Sequence, residues 1–156
     1  MLTLLRSGLN PFDPRTVFLA RHAQHVVLVH FPIALFITAV VFDVLHRFTK
    51  SPGFADAAYY NLFVAAVSTV PVVVTGILAW RFQLEGQKIK GVLLLHLVVA
   101  AVATVLICTV WGRRLHIRRK ARSSSTGDLA LEIVAMIAIA VTAHLGGFLS
   151  GVNGPG

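Results

Sequence analysis

Apolar residues along this chain are gathered into four long runs that are separated by shorter polar segments. The runs cover approximately residues 26–45, 57–80, 91–111 and 129–149. Each run supplies about 20 mostly apolar residues, the length that an α-helix needs to cross the roughly 30 Å hydrocarbon core of a bilayer. We therefore predict an all-α protein, a transmembrane four-helix bundle with up-down topology, and we number the four segments spans 1 to 4.

The overall composition supports a membrane protein with a single domain. Of its 156 residues, 56% are hydrophobic and only 13% are charged, whereas soluble domains carry about 25% charged residues. The membrane domain is predicted to cover residues 26–149. Residues 1–25 form an N-terminal segment that is either a short interfacial helix or an irregular tail, and residues 150–156 form a flexible tail.

Basic residues are most concentrated between spans 3 and 4. The formal net charge is +8, and the connections 1–2 and 3–4 hold eight Lys and Arg residues against six on the other side. Six of those eight lie in the 3–4 connection. Because cytoplasmic loops carry an excess of Lys and Arg, we expect both termini outside, on the periplasmic face of a bacterial inner membrane. No basic helix stands apart from the spans, so we expect no nucleic-acid partner.

Three histidines lie at matching depths in three different spans. His30 and His96 lie about five residues into spans 1 and 3, and His144 lies about five residues before the end of span 4. At 1.5 Å per residue, all three are about 8 Å below the outer surface, and His25 is nearer the boundary. No Asp or Glu accompanies them in the outer half of the spans. Imidazoles without carboxylates suit a haem iron, or a copper or zinc ion.

The order of the helices indicates which histidines would hold an iron. In an up-down bundle, spans 1 and 3 lie diagonally across from each other, so we expect His30 and His96 to be the axial ligands. His144 is then an alternate ligand beside the haem rim, and His25 is a partner for a propionate. Small residues one turn from His30, His96 and His144 would let a flat macrocycle approach the helices. The alternative is that each histidine only forms an interhelical hydrogen bond.

The acidic residues of the spans are assigned structural roles. Asp43 can pair with Arg47 one helical turn later, and Glu132 is favoured near the positive N-terminal end of span 4. The sequence contains no motif for hydrolysis or nucleotide binding and no nucleophile placed with its base. Whether the chain is an enzyme therefore stays open, and an electron-transfer protein or subunit is favoured over a stand-alone enzyme.

Three stretches of the sequence carry a family resemblance. They are HVVLVHFPIAL in span 1, the histidine that opens span 3, and TAHLGG near the end of span 4. Together they resemble a bacterial family of small four-span membrane proteins, DUF2231, over nearly the whole chain. The family pattern has proline after its first histidine, where this chain has Val26, and an acidic residue and a closing His-Gly that are absent after Gly147. Relatives occur fused to, or encoded near, Rieske and cytochrome c modules, so the resemblance implies a redox setting.

The histidines and the resemblance together lead to one leading hypothesis. It is a membrane-bound b-type cytochrome, or haem-carrying subunit, that binds haem b and transfers electrons near the periplasmic face. We expect it to work in the lipid bilayer with other redox or membrane subunits of the cytochrome c or Rieske type. The alternatives are a copper- or zinc-binding membrane protein that uses the same histidines and a non-redox structural subunit or anchor of a larger complex.

Overall fold

Long α-helices form most of the chain that this computed structural model describes, which is residues 23–82 and 84–151. The helices are Ala23–Leu28, His30–Thr49, Pro52–Phe82, Gly91–Arg119 and Thr126–Leu149. Four segments are long and apolar enough to cross a membrane: Gln24–Thr49, Pro52–Phe82, Gly91–Arg119 and Thr126–Leu149. No strand occurs within these residues. The predicted all-α bundle of four spans is confirmed.

The helices are longer than the apolar runs from which they were predicted. Span 2 begins at Pro52. Proline is favoured at the first position of a helix, because the N–H that it lacks would have no partner there. Span 3 continues past Trp111 to Arg119, through residues that are polar but still favour helix. Of the predicted N-terminal segment, only residues 23–25 are described, and they are helical. The predicted interfacial helix and the tail beyond residue 151 lie outside the described residues.

Span 1 is interrupted at Val29, between its two helices. Pro32 has no backbone N–H, so the carbonyl of Leu28 lacks the donor that a regular helix would supply four residues later. The chain still turns in a helical sense, since the N–H of Val29 donates to the carbonyl of His25 at 3.0 Å. His25 and His30 therefore flank a turn that keeps helical backbone angles at Val29.

The bundle consists of two tightly packed hairpins. Spans 1 and 2 pack closely together and so do spans 3 and 4, whereas the contacts between spans 2 and 3 and between spans 1 and 4 are lighter. This is the cyclic order of an up-down bundle, in which spans 1 and 3 are diagonal. The buried centre combines large residues such as Phe36, Leu62 and Ile107 with small ones such as Ala65 and Ala135, which let the helix backbones approach.

A buried ion-pair network lies at the end of the bundle that carries the 1–2 and 3–4 connections. The Arg114 guanidinium Nη2 lies 2.5 Å from Asp43 Oδ1 and 2.7 Å from Glu132 Oε1. Arg47 Nε donates to Asp43 Oδ2 at 3.0 Å, which confirms the predicted pairing of these two residues. The fractional exposures of Asp43, Glu132 and Arg114 are 0%, 2% and 8%. Glu132 therefore does more than favour a helix N-terminus, because it joins span 4 to span 3.

Candidate functional site

A cavity of about 290 Å³ lies inside the bundle, toward the end at which span 1 begins and span 4 ends. Residues from all four spans line it. Along span 4 the lining runs from Ser150 down to Ile139, a depth of about 16 Å at 1.5 Å per residue. The cavity thus occupies the half of the bundle that lies opposite the ion-pair network.

The wall of the cavity is mostly apolar, and many of its residues are small. Ala100, Ala103, Ala143, Gly146 and Gly147 bring helix backbone close to the open space. The lining threonines already donate their hydroxyl protons to carbonyl groups of their own helices. No carboxylate is found among the described lining residues, so the histidine rings are the titratable groups that the cavity offers there.

His25 is held by span 2. Its Nδ1 lies 3.2 Å from the hydroxyl oxygen of Thr75. That hydroxyl has a single proton, which it donates to the carbonyl of Pro71 at 2.8 Å or of Val72 at 3.1 Å. When the hydroxyl proton is used in this way, a neutral ring that carries its proton on Nδ1 donates to Thr75 and keeps its lone pair on Nε2. A Cβ at Gly76 would lie 3.0 Å from His25 Cε1, so a larger residue there would require the ring to shift.

His96 is held by span 4 in a similar way. Its Nδ1 donates to the carbonyl oxygen of Thr142 at 3.2 Å, and the lone pair is again on Nε2. A Cβ at Gly146 would lie 3.3 Å from His96 Cε1. Each hairpin therefore presents one half-buried histidine, whose ring is bonded to a threonine and packed against a glycine of the adjacent helix.

The two rings face the same cavity from diagonal spans. His25 lines it from span 1 and His96 lines it from span 3. Histidines that bind metals usually donate one ring N–H to a protein acceptor, which fixes the orientation of the ring and leaves the other nitrogen as the ligand. Both histidines have an Nδ1 contact of this kind, so Nε2 is the nitrogen that could serve as a ligand.

The other two predicted histidines have different surroundings. His30 lines the cavity, but its ring is exposed and its Nδ1 donates to the carbonyl of Val26 in the same span at 2.6 Å. His144 is exposed, packs edge-on against Phe148 with ring centroids 5.1 Å apart, and is not among the described lining residues. The structure therefore brings His25, His30 and His96 to one cavity and does not bring His144 there.

The donor set suits haem better than a bare metal ion. The described residues contain no group of three or more His, Cys, Asp or Glu that could hold a metal ion, whereas zinc sites use three or four protein ligands. A haem iron needs only two axial ligands, and two imidazoles supply them. The volume is about twice that of a cavity of roughly 150 Å³ that holds benzene. A cavity of this size would enclose part of a macrocycle.

The buried Arg114 was missed in the sequence, although a signal for it exists there. His25 and Asp43 are eighteen residues apart in span 1, and His96 and Arg114 are eighteen residues apart in span 3. Eighteen residues make five helical turns, about 27 Å, so both members of each pair lie on one face. Because the spacing is the same in these two diagonal spans, His25 and His96 lie at one end of the bundle. Asp43 and Arg114 lie together at the other end.

Comparison with known proteins gives a family and no further relative. A family described as predicted membrane protein (DUF2231) matches residues 21–154, which includes all four spans. Searches among curated proteins and among solved structures found no match. With nearly its whole length matched, the chain belongs to the DUF2231 family of predicted membrane proteins.

Proposed function

We propose that this chain is a membrane-bound b-type cytochrome or haem-carrying subunit, with haem b in the central cavity and His25 and His96 as axial ligands. One observation carries the proposal: imidazoles from two diagonal spans line one cavity, and each has its Nδ1 proton bound by the protein. The sequence favoured His30 over His25. We favour His25 as the axial ligand, because its ring is hydrogen-bonded to another span. The ring of His30 is hydrogen-bonded within its own span.

The protein's own residues would position the cofactor and keep water away from it. Bound haem supplies one-electron transfer between ferric and ferrous iron. Thr75 and Thr142 fix the rings of His25 and His96, so that little reorganisation of the ligands accompanies a change of charge on the iron. The apolar wall lowers the local polarity, which is one means by which a protein sets a haem potential.

The absorption spectrum of the purified protein tests this function. We expect a Soret band that shifts on reduction and haem in stoichiometric amount. The variant His96→Ala should lose haem affinity by more than about tenfold, since even changes to groups around a ligand cost that much. His116→Ala is the matched control, because His116 is an exposed histidine of the same span that does not line the cavity. A wild-type protein that binds no haem would refute the proposal.

A structural subunit or anchor is the second candidate, and the same hydrogen bonds favour it. The contacts of His25 with Thr75 and of His96 with Thr142 each join two helices, as polar residues inside membrane bundles commonly do. On this alternative the purified protein is colourless and free of metal. A colourless protein that holds stoichiometric copper or zinc would instead select a metal-binding function for the histidines.

We propose that both termini face the periplasm of a bacterial inner membrane, which places the cavity within reach of a redox partner of the cytochrome c or Rieske type. The support is the concentration of Lys and Arg in the 3–4 connection. Alkaline phosphatase fused after Gly156 should be active, and the same enzyme fused at Ser124 should be inactive. The opposite pattern would place the cavity at the cytoplasmic face.

A further inference from the structure

We propose that a polar groove at the opposite end of the bundle binds the headgroup of an anionic phospholipid. The groove has a volume of about 530 Å³ and lies between the end of span 3, the 3–4 connection and the start of span 4. Arg113, His116 and Arg122 contribute its basic groups, and Asp128 contributes a carboxylate. This site is separate from the histidine cavity, so the proposal does not depend on haem binding.

The negative charge of Asp128 is already taken up within the protein. Arg113 donates to Asp128 Oδ1 from Nε at 2.9 Å and from Nη2 at 2.6 Å. Ser125 donates to Oδ2 from its backbone N–H at 2.8 Å and from its hydroxyl at 2.7 Å. Asp128 therefore repels an incoming anion only weakly, and its interaction with Ser125 also caps span 4.

Arg122 is the cation that remains available in the groove. Each of the four acids at this end has an arginine within ion-pair distance: Asp43, Asp56, Asp128 and Glu132. Arg122 is exposed, and no ion pair or hydrogen bond of its side chain occurs in the described part of the chain. A guanidinium group matches the paired oxygens of a phosphate and binds them through two parallel hydrogen bonds.

Below the groove, span 3 offers an apolar track for an acyl chain. Gly112 lines the groove, and a Cβ built there would meet no atom within 4 Å. Cys108 and Val105, four and seven residues earlier, lie on the same face and are exposed, Val105 to 64%. A molecule that is anionic in the groove and apolar along this track is a lipid. We therefore assign the phosphate to a phospholipid headgroup, the kind of ligand that basic pockets at the cytoplasmic ends of membrane helices attract.

Native mass spectrometry of the full chain in detergent, titrated with phosphatidylglycerol or phosphatidylcholine, tests the site. Arg122→Gln should weaken phosphatidylglycerol binding about fivefold, as expected for one Arg near a headgroup, and leave phosphatidylcholine binding unchanged. Arg122→Lys should retain most of the binding. Arg119→Gln is the matched control, because Arg119 is an exposed arginine at the end of span 3 that does not line the groove.

Two outcomes would overturn the proposal. An equal loss of phosphatidylglycerol binding in Arg122→Gln and Arg119→Gln would show that the lipid is attracted by the general positive charge and not by a specific site. Displacement of phosphatidylglycerol by inorganic phosphate, beyond the effect of chloride at equal ionic strength, would identify the groove as a site for free phosphate. Circular dichroism checks that the variants keep their helices. If Arg122→Gln does not fold, Arg122→Lys takes its place, because lysine keeps the charge but not the two parallel hydrogen bonds. It should release phosphatidylglycerol at lower salt than Arg119→Gln does, and an equal salt response rejects the site.

Discussion

Replacing Arg114 with methionine should lower the free energy of unfolding by about 3–5 kcal/mol, as measured by denaturant unfolding in mild detergent. The Arg114 guanidinium faces two buried carboxylates, those of Asp43 and Glu132. Its removal leaves both negative charges in the bundle, and only Arg47 still contacts one of them. A buried charge without its partner costs far more than the pair itself contributes.

The same substitution at Arg118 is the control. Arg118 lies one turn later in span 3 and pairs with Asp56, but the two side chains are 44% and 53% exposed. An exposed ion pair contributes little, so Arg118→Met should leave the unfolding midpoint almost unchanged. Combining Arg114→Met with Asp43→Leu and Glu132→Leu should restore much of the stability, because apolar groups can replace a complete buried ion pair. Equal effects of the two single substitutions would contradict this account of the network.

Replacing His25 with methionine should convert the spectrum of the haem-loaded protein to that of a His–Met cytochrome and raise its reduction potential. The reason is the proposed axial role of His25, whose ring is held from span 2 against Gly76. His30→Met is the matched variant, since His30 lines the same cavity from the same span. It should keep two imidazole ligands and shift the potential only slightly.

The reverse result would return the axial role to His30, as the depth of the histidines in the sequence predicted. His144→Met should leave the spectrum unchanged in either case, because His144 is exposed and lies away from the cavity lining. A His–Met spectrum in the His144 variant would mean that the hairpins repack when the cofactor binds. Redox titration of the three variants against the wild type distinguishes these outcomes.

The sequence predicted the spans well, because the number of apolar residues needed to cross a bilayer is set by its thickness. It also predicted similar depths for three histidines from the rise per residue, and that depth stays a prediction. It could not fix their direction around the helix axis, which depends on how the helices pack. His96 and His144 have similar depths, yet His96 contacts the neighbouring span and His144 is exposed.

The choice between His25 and His30 also depends on packing. His25 reaches Thr75 in span 2, whereas His30 is hydrogen-bonded to the carbonyl of Val26 in its own span. Similarly, Arg114 was counted as a loop cation because its neighbours are basic, whereas the helix continues and buries it between Asp43 and Glu132. In both cases a partner in another span decides the role of the residue, and partners in space are not visible in one sequence.

The buried ion-pair network also affects how the protein inserts into the membrane while it is being synthesised. Asp43 enters the membrane with the first hairpin, before Arg114 and Glu132 have been synthesised. An acidic residue at the centre of an inserted helix costs roughly 2.5–3.5 kcal/mol. Asp43 lies nearer the end of its helix, so its cost is lower, and Arg47 one turn away offsets part of it. The first hairpin is thus inserted with the charge of Asp43 only partly balanced. Arg114 completes the ion pairing when span 3 is inserted. A nascent chain that stops after span 2 therefore keeps Asp43 without Arg114, its partner in span 3.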